Sequence, residues 1–106
     1  MTDGLPTLAE ALEAEAAVLE GVERTAIPTG VEWRLDGTLF AVLGGDVAEF
    51  RLAPAVAAAA LRTPDTTTSE RGLGWVAFRP VTVDGHALDR GVAWLASAWR
   101  RASSEG

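Results

Sequence analysis

Residues 31–52, VEWRLDGTLFAVLGGDVAEFRL, decide the fold of this 106-residue chain. In its first five residues, apolar side chains alternate with charged ones, which is the period of a half-buried strand. Asp36-Gly37 follows at once and predicts a type I′ hairpin, because both residue types tolerate positive φ angles. Gly44-Gly45-Asp46 predicts a second turn. The stretch therefore predicts a three-stranded antiparallel meander, with strands at 31–35, 38–43 and 47–52.

Helices are predicted before and after this meander. Thr7 and Glu10 have the spacing of a capping box, in which each side chain satisfies a backbone donor at a helix start. The first helix then runs to near Gly21, with an apolar face of Leu8, Leu12, Ala16 and Leu19. Pro54 suits the first turn of a short second helix, which Thr63-Pro64 ends. No strand is predicted between the first helix and Val31.

The last third of the chain predicts a strand and a long helix. A polar loop at 65–74 holds a short edge strand at 66–69, and alternation predicts a further strand at 75–80, which residues 81–83 could prolong. The final helix begins at Asp84 or Gly85 and frays from Ser103. Its predicted core face consists of Leu88, Val92, Leu95, Ala96 and Trp99.

The order of elements is thus helix, three strands, helix, one or two strands, helix. This order predicts an α+β fold in two layers, with the helices covering one face of an antiparallel sheet. The opposite face carries the charged phase of the strands, which consists of Glu32, Arg34, Glu49, Arg51 and Arg79.

Length and composition limit the class of protein. A chain of 106 residues with 48% hydrophobic residues fits one domain, residues 1–106. The absence of cysteine and the single histidine exclude thiolate and multi-histidine metal sites, and no cofactor is predicted. No stretch approaches the roughly 20 apolar residues that cross a bilayer. The N-terminus also lacks a signal-peptide pattern, so a cytoplasmic protein without membrane contact is expected.

Charge bears on the partners of the protein. The net charge of -6 disfavours nucleic acid, whose affinity for proteins comes largely from basic residues that release counterions. The charge is also uneven along the chain. Residues 1–49 hold ten acidic residues and two arginines, whereas residues 50–106 hold five acidic residues and seven arginines.

Several stretches resemble the MmcQ/YjbR family of small bacterial proteins. They are residues 33–43 (WRLDGTLFAVL), 49–52 (EFRL), 63–64 (TP), 74–76 (GWV) and 93–100 (AWLASAWR), which together span about two-thirds of the chain. The resemblance implies a two-layer fold of the secretion-chaperone-like type. It also implies DNA binding, the function with which this family is often labelled.

The candidate partner-binding residues are Arg51, Trp75, Arg79, Arg71 and His86. An aromatic plane beside guanidinium groups can stack on a base or grip a carboxylate. The alternative is that Glu49 pairs with Arg51 or Arg79 while Trp75 packs beneath a loop. Arg71 lies in the polar loop, which is either a binding loop or a solvated connector.

Tryptophan placement gives a further hypothesis. Trp33 and Trp99 fall on predicted core phases, whereas Trp75 and Trp94 do not. Two exposed tryptophans would mark a surface for a homodimer or another partner.

Three functions are compatible with these residues. The leading hypothesis is a non-enzymatic interaction module that binds an unidentified protein or small ligand on the outer sheet face. Weak nucleic-acid binding is the alternative. The third is an enzyme in which His86 acts as acid or base from a pocket that also holds Asp65 or Glu70, which is the arrangement such catalysis would need.

Overall fold

A computed structural model describes residues 4–105 and confirms the α+β architecture. Three helices and one six-stranded antiparallel sheet form within these residues, and the strand order is β1-β2-β3-β4-β6-β5. In chain order the elements are α1 (Leu8–Val18), β1 (Val22–Ile27), β2 (Gly30–Leu35), β3 (Thr38–Gly44), β4 (Val47–Arg51), α2 (Pro54–Ala60), β5 (Thr66–Thr68), β6 (Trp75–Phe78) and α3 (Gly85–Glu105).

Local signals placed most of these elements correctly. The capping box of α1 is present, with Thr7 and Glu10 each accepting a hydrogen bond from the backbone of the other. Asp36 and Gly37 have φ angles of 51° and 83°, as the predicted type I′ turn requires. Pro54 begins α2, and β5 lies at the edge of the sheet. β6 ends at Phe78, so residues 81–83 do not prolong it.

The meander has one strand more than predicted. β1 pairs with β2 along its whole length and forms the second edge of the sheet. Its sequence, VERTAI, has four exposed residues between two half-buried ones, so it shows no alternation for a pattern search to find. The start of β2 requires Gly30, because a Cβ atom there would overlap the carbonyl oxygen of Leu43 in β3.

A register shift in β3 enlarges the core. Trp33 pairs with Ala41 and Arg34 pairs with Leu39, which leaves Phe40 as an extra residue in the ladder. A β-bulge of this kind allows two successive side chains to point to one side of a strand. Phe40 and Ala41 are accordingly both fully buried in the core cluster.

The core lies between the sheet and the pair α1 and α3. α3 contacts β2, β3, β4 and α1. Where the two helices meet, a Cβ atom at Gly91 would lie 3.0 Å from Leu8 Cδ1, so glycine permits their close approach. The buried residues of α3 are Ala87, Leu88, Gly91, Trp94, Leu95, Ala98 and Ala102.

This buried face corrects part of the predicted one. Leu88 and Leu95 are buried as predicted, whereas Val92 and Ala96 are half-buried. Trp94 is only 9% exposed, and its ring packs edge-on against Phe78 at 5.0 Å and tilted against Phe50 at 6.3 Å. Trp99, predicted to be core, is half-buried, and its indole donates a hydrogen bond to the carbonyl of Glu20. Hydrophobicity alone misplaced the face because a strip of alanine and glycine faces α1 and the sheet. Trp75 and Trp94 are therefore not both exposed, which was the condition for the tryptophan interaction surface considered from the sequence.

The end of α3 is also more ordered than predicted. The helix continues to Glu105 instead of fraying from Ser103, and Gly106 lies outside the described residues. Glu105 accepts hydrogen bonds from Arg51 and Arg101, while Arg101 also donates to the carbonyl of Leu52. These bonds attach the last helical turn to the end of β4.

The burial of Trp94 predicts a large loss of stability on its removal. We expect Trp94→Ala to lower the free energy of unfolding by roughly 3–5 kcal/mol, the usual cost of truncating a buried tryptophan. Urea denaturation, monitored by circular dichroism, measures the free energy of unfolding. Trp75→Ala removes a half-buried tryptophan and is the control, with an expected cost below about 2 kcal/mol. Equal costs for the two variants would contradict the packing described for α3.

Candidate functional site

The face of the sheet opposite the helices is the candidate site. Side chains of directly paired residues in an antiparallel sheet point to the same side. The pairs Glu32–Val42, Val42–Glu49, Glu49–Ala77 and Ala77–Thr67 therefore form one row across this face. We call it the open face; it also contains Arg34, Leu39, Val47, Arg51, Trp75 and Arg79, and Arg71 reaches it from the loop between β5 and β6.

Helices do not cover the open face in the described part of the chain. The core cluster that the helices share with the sheet contains residues of the other phase, such as Trp33, Phe50 and Phe78. Val42 shows the difference, because it is buried among its strand neighbours and yet lies outside that cluster. All five charged residues that the sequence predicted for the outer sheet face lie on the open face.

Arg51 serves to anchor α3. Its guanidinium donates to both carboxylate oxygens of Glu105, at 2.6 and 3.2 Å, and its side chain is 25% exposed. The hydrogen bond from Arg51 holds the pKa of Glu105 below its ordinary value. A charge-assisted bidentate pair of this kind fixes geometry as well as charge. The guanidinium of Arg51 is thus already engaged within the fold.

Arg71 and Trp75 form a second cluster with Glu49 and Ser69. Arg71 Cζ lies 5.6 Å from the centre of the Trp75 ring, and Arg71 Nε donates to Glu49 at 2.8 Å. Ser69 donates to the other oxygen of Glu49 at 2.6 Å. If these charged residues served only to stabilise the fold, Glu49 was predicted to pair with Arg51 or Arg79. The actual partner comes from the polar loop, which thereby covers Trp75.

The pKa of Glu49 reflects two opposing effects. Burial raises the pKa, but the hydrogen bonds from Ser69 and Arg71 and the charge of Arg71 outweigh it, so that the pKa lies below its ordinary value. Glu49 is therefore held as a carboxylate and binds the loop to the sheet.

Arg79 is in a different state from Arg51 and Arg71. Its side chain is 66% exposed, and its one carboxylate contact is with Asp46, at 3.5 Å, whose side chain is itself 78% exposed. Exposed pairs with this geometry contribute little to stability. Among the arginines of the open face, Arg79 is the one whose guanidinium a partner could take over at low cost.

A concavity of about 550 Å³ lies beside Arg79. We call it the Arg79 pocket; its lining residues are Val47, Asp65, Thr66, Thr67, Ala77 and Arg79. The small side chains of Val47 and Ala77 create the depression between flanking longer residues. Its rim is fixed, because the carbonyl of Asp65 accepts the backbone N–H of Arg79 at 2.9 Å and its carboxylate accepts that of Val81 at 3.3 Å. Val47, Thr67 and Ala77 were not among the predicted contact residues, although strand alternation places all three on this face.

His86 lies apart from these groups. It is exposed in the first turn of α3, next to Asp84, whose carboxylate accepts the backbone N–H of Ala87 at 2.9 Å. That hydrogen bond lowers the pKa of Asp84. The Arg79 pocket contains Asp65 but not His86, so the arrangement that the enzymatic hypothesis required is not found in this pocket. Residues 4–105 also contain no group of three or more potential ligands placed to hold a metal ion.

The length and composition of the helices bear on whether any of them could span a membrane. None of the helices in the described chain combines the length and the apolar character needed to cross a bilayer.

The lowered pKa of Glu49 predicts a pH-dependent contribution to stability. Because the folded pKa lies below the unfolded value of about 4.3, this carboxylate stabilises the fold above that pH. The contribution is lost as the pH falls through the folded pKa. We expect Glu49→Gln to be less stable than the wild type near neutral pH and to lose less stability on acidification. Urea denaturation at about pH 7 and pH 3 measures both effects.

Glu70→Gln is the control for this experiment. It removes an exposed carboxylate from the same loop, outside the ion pairs with Arg71 and Arg79. It should lose stability on acidification as the wild type does. If both variants lost equally little stability on acidification, the Glu49 cluster would not be the source of the pH dependence.

Comparisons with known proteins assign no function to the chain, so a proposal of function depends on its geometry. No family model, no curated protein and no solved structure matches the sequence or the fold. The resemblance to the MmcQ/YjbR family accordingly stays a prediction.

Proposed function

We propose that the protein is a non-enzymatic binding module that holds a partner protein or a small ligand on its open face, with the Arg79 pocket at the centre of the contact. The observation that carries this proposal is a sheet face without a helical cover in the described chain, with a fixed concavity and a weakly paired guanidinium. Arginine is one of the residues that contribute most to binding at protein contact surfaces, and such surfaces commonly have a polar rim.

The ion pairs select Arg79 from the predicted contact residues. A partner that engaged Arg51 or Arg71 would have to displace Glu105 or Glu49 from short hydrogen bonds. A partner that engaged Arg79 would displace only the 3.5 Å contact with Asp46. Arginine can bind a carboxylate through two parallel hydrogen bonds, so a partner carboxylate would be the better ligand. Trp75 adds an aromatic surface under Arg71, further along the same strand.

Nucleic-acid binding has less support. Each arginine of the open face lies within 4 Å of a carboxylate, in the pairs Arg34–Glu32, Arg51–Glu105, Arg71–Glu49 and Arg79–Asp46. Affinity for phosphates requires cations that exchange counterions for the nucleic acid. Arg34, Arg51 and Arg71 are held in close pairs and gain little from that exchange. Of these four arginines, Arg79 is the one left to bind a phosphate, and the net charge of -6 adds repulsion.

Site-specific photocrosslinking in cells of the organism that naturally makes the protein tests the proposal. A photoreactive amino acid replaces Thr67, an exposed residue that lines the Arg79 pocket, and the control replaces Ala17, which is exposed on α1. We expect a discrete adduct from position 67 alone. Arg79→Ala should reduce its yield by about tenfold, because a central arginine commonly contributes more than about 1 kcal/mol to binding.

Arg62→Ala is the matched control variant, since Arg62 is an exposed arginine outside the open face. It should leave the adduct unchanged, and both variants should unfold at the wild-type temperature. Equal yields from positions 67 and 17, or an adduct indifferent to Arg79→Ala, would overturn the proposal. An adduct that nuclease destroys would replace it with nucleic-acid binding.

A further inference from the structure

β5 is the edge strand nearest to the Arg79 pocket. It lies at the end of the sheet and pairs with β6. The N–H of Arg79 donates to the carbonyl of Asp65 at 2.9 Å, and the N–H of Ser69 donates to the carbonyl of Trp75 at 3.1 Å. The ladder between the two strands therefore continues for one residue beyond each end of β5.

The free edge of β5 presents backbone groups to a partner. Hydrogen-bonded and non-hydrogen-bonded pairs alternate along an antiparallel ladder. Thr66 and Thr68 each lie next to a bonded pair, opposite Phe78 and Val76, so their N–H and C=O groups point away from β6. These four groups have no hydrogen-bond partner within residues 4–105. Such a row of donors and acceptors is a template for a further strand.

The two edges of the sheet differ in their resistance to pairing. β1 carries Glu23 and Arg24, and charged side chains commonly protect an edge strand against pairing. β5 consists of three threonines and carries no charge. Threonine is also favoured in strands. The edge at β5 is therefore the more open of the two to a partner strand.

A recess adjoins β5 on each side of the sheet. On the open face, Thr67 lines the Arg79 pocket. On the side of the helices, Thr68 lines an apolar hollow of about 480 Å³, which extends to Leu61 and Leu73. These two leucines are 39% and 98% exposed, so apolar surface of the hollow faces solvent.

We propose that the partner of the open face contributes an extended peptide segment that pairs with the free edge of β5. An acidic side chain of this segment is directed to the Arg79 pocket, and the adjacent side chain, which is apolar, is directed to the hollow beside Leu61 and Leu73. Successive side chains of a strand point to opposite faces, so one added strand reaches both recesses. In recognition by strand addition, main-chain bonds give affinity and pockets for alternate side chains give specificity. The segment belongs to the same partner, so this inference rests on the function proposed for the open face.

The state of Arg79 favours an acidic side chain in the added strand. Neighbouring strands lie about 4.8 Å apart, so a strand added to β5 lies about 10 Å from β6. An arginine and a carboxylate side chain can together span this distance across Thr67. The guanidinium of Arg79 would give up only its 3.5 Å contact with Asp46. The other acidic residue of the pocket, Asp65, already accepts the backbone N–H of Val81.

Peptide selection on the purified full chain tests this proposal. Random octapeptides displayed on phage are the probe, and a recovered sequence is then synthesised for measurements in solution. We expect recovered peptides to carry an acidic residue next to an apolar one. The N–H groups of Thr66 and Thr68 should exchange more slowly with deuterium in the complex, and Arg79→Ala should weaken peptide binding by about tenfold.

Thr68→Pro separates strand addition from a contact with the Arg79 pocket alone. Proline at this position removes an N–H that points away from β6, and an edge strand tolerates such a proline. We expect at least about tenfold weaker peptide binding, because a carbonyl of the added strand loses its donor. Thr68→Val is the matched control, since it keeps the N–H and the branched shape and should bind as the wild type does. Both variants should retain the circular dichroism spectrum of the wild type.

The outcomes that would overturn strand addition are distinct from those that concern the open face. Recovery of no peptide, or equal binding of the peptide by Thr68→Pro and Thr68→Val, would overturn it. The photocrosslink from position 67 reports separately on the open face and would leave the function proposed for that face standing. Dimerisation of the purified chain that Thr68→Pro abolishes would assign the edge to a second copy and would also overturn the proposal.

Discussion

The packing of α3 across the middle of the sheet is the constraint on which the rest of the structure depends. Trp94 fits between Phe50 and Phe78, and Gly91 lets α1 lie close beside α3. With α1 and α3 on the same side, one face of the sheet is buried and the other has no helical cover in the described chain. The candidate site is thus a consequence of core packing, because the open face is the face of the sheet against which α1 and α3 do not pack.

The last turn of α3 connects that core to the open face and to the loop between β5 and β6. Glu105 binds Arg51 of the open face, and Arg101 reaches the carbonyl of Leu52 beside Gly74. The same backbone at Gly74 leads to Leu73 on one side and to Trp75 on the other. The loop between β5 and β6 is therefore a bonded part of the fold, although its composition is typical of a solvated connector. It contributes Arg71, which lies over Trp75 and binds Glu49.

Charge pairing decides how the open face can be used. Three arginines on the outer sheet face and a fourth in the polar loop suggest an anionic partner when the sequence is considered alone. In the structure, two of them stabilise the fold through short bonds to Glu49 and Glu105, and Arg34 is paired with Glu32 at 2.7 Å. Only Arg79 combines high exposure with a long contact. A small contact centred on one guanidinium agrees better with recognition of a protein or a small ligand than with a surface that follows a phosphate backbone.

The sequence by itself determined the elements whose signals are local. The alternation at 31–35, the Asp36-Gly37 turn, the capping box at Thr7 and the proline at the start of α2 each depend on neighbours within a few residues, and together they gave the α+β class and the charged phase of the open face. Only the tertiary structure decided features that join distant residues. They include β1, which has no alternation of its own, the face of α3 that holds Trp94, and the partner of each arginine. The physical reason is that a turn or a cap is stabilised by its own backbone, whereas the rotation of a helix and the choice of an ion-pair partner are fixed by side chains that the chain brings together only when it folds.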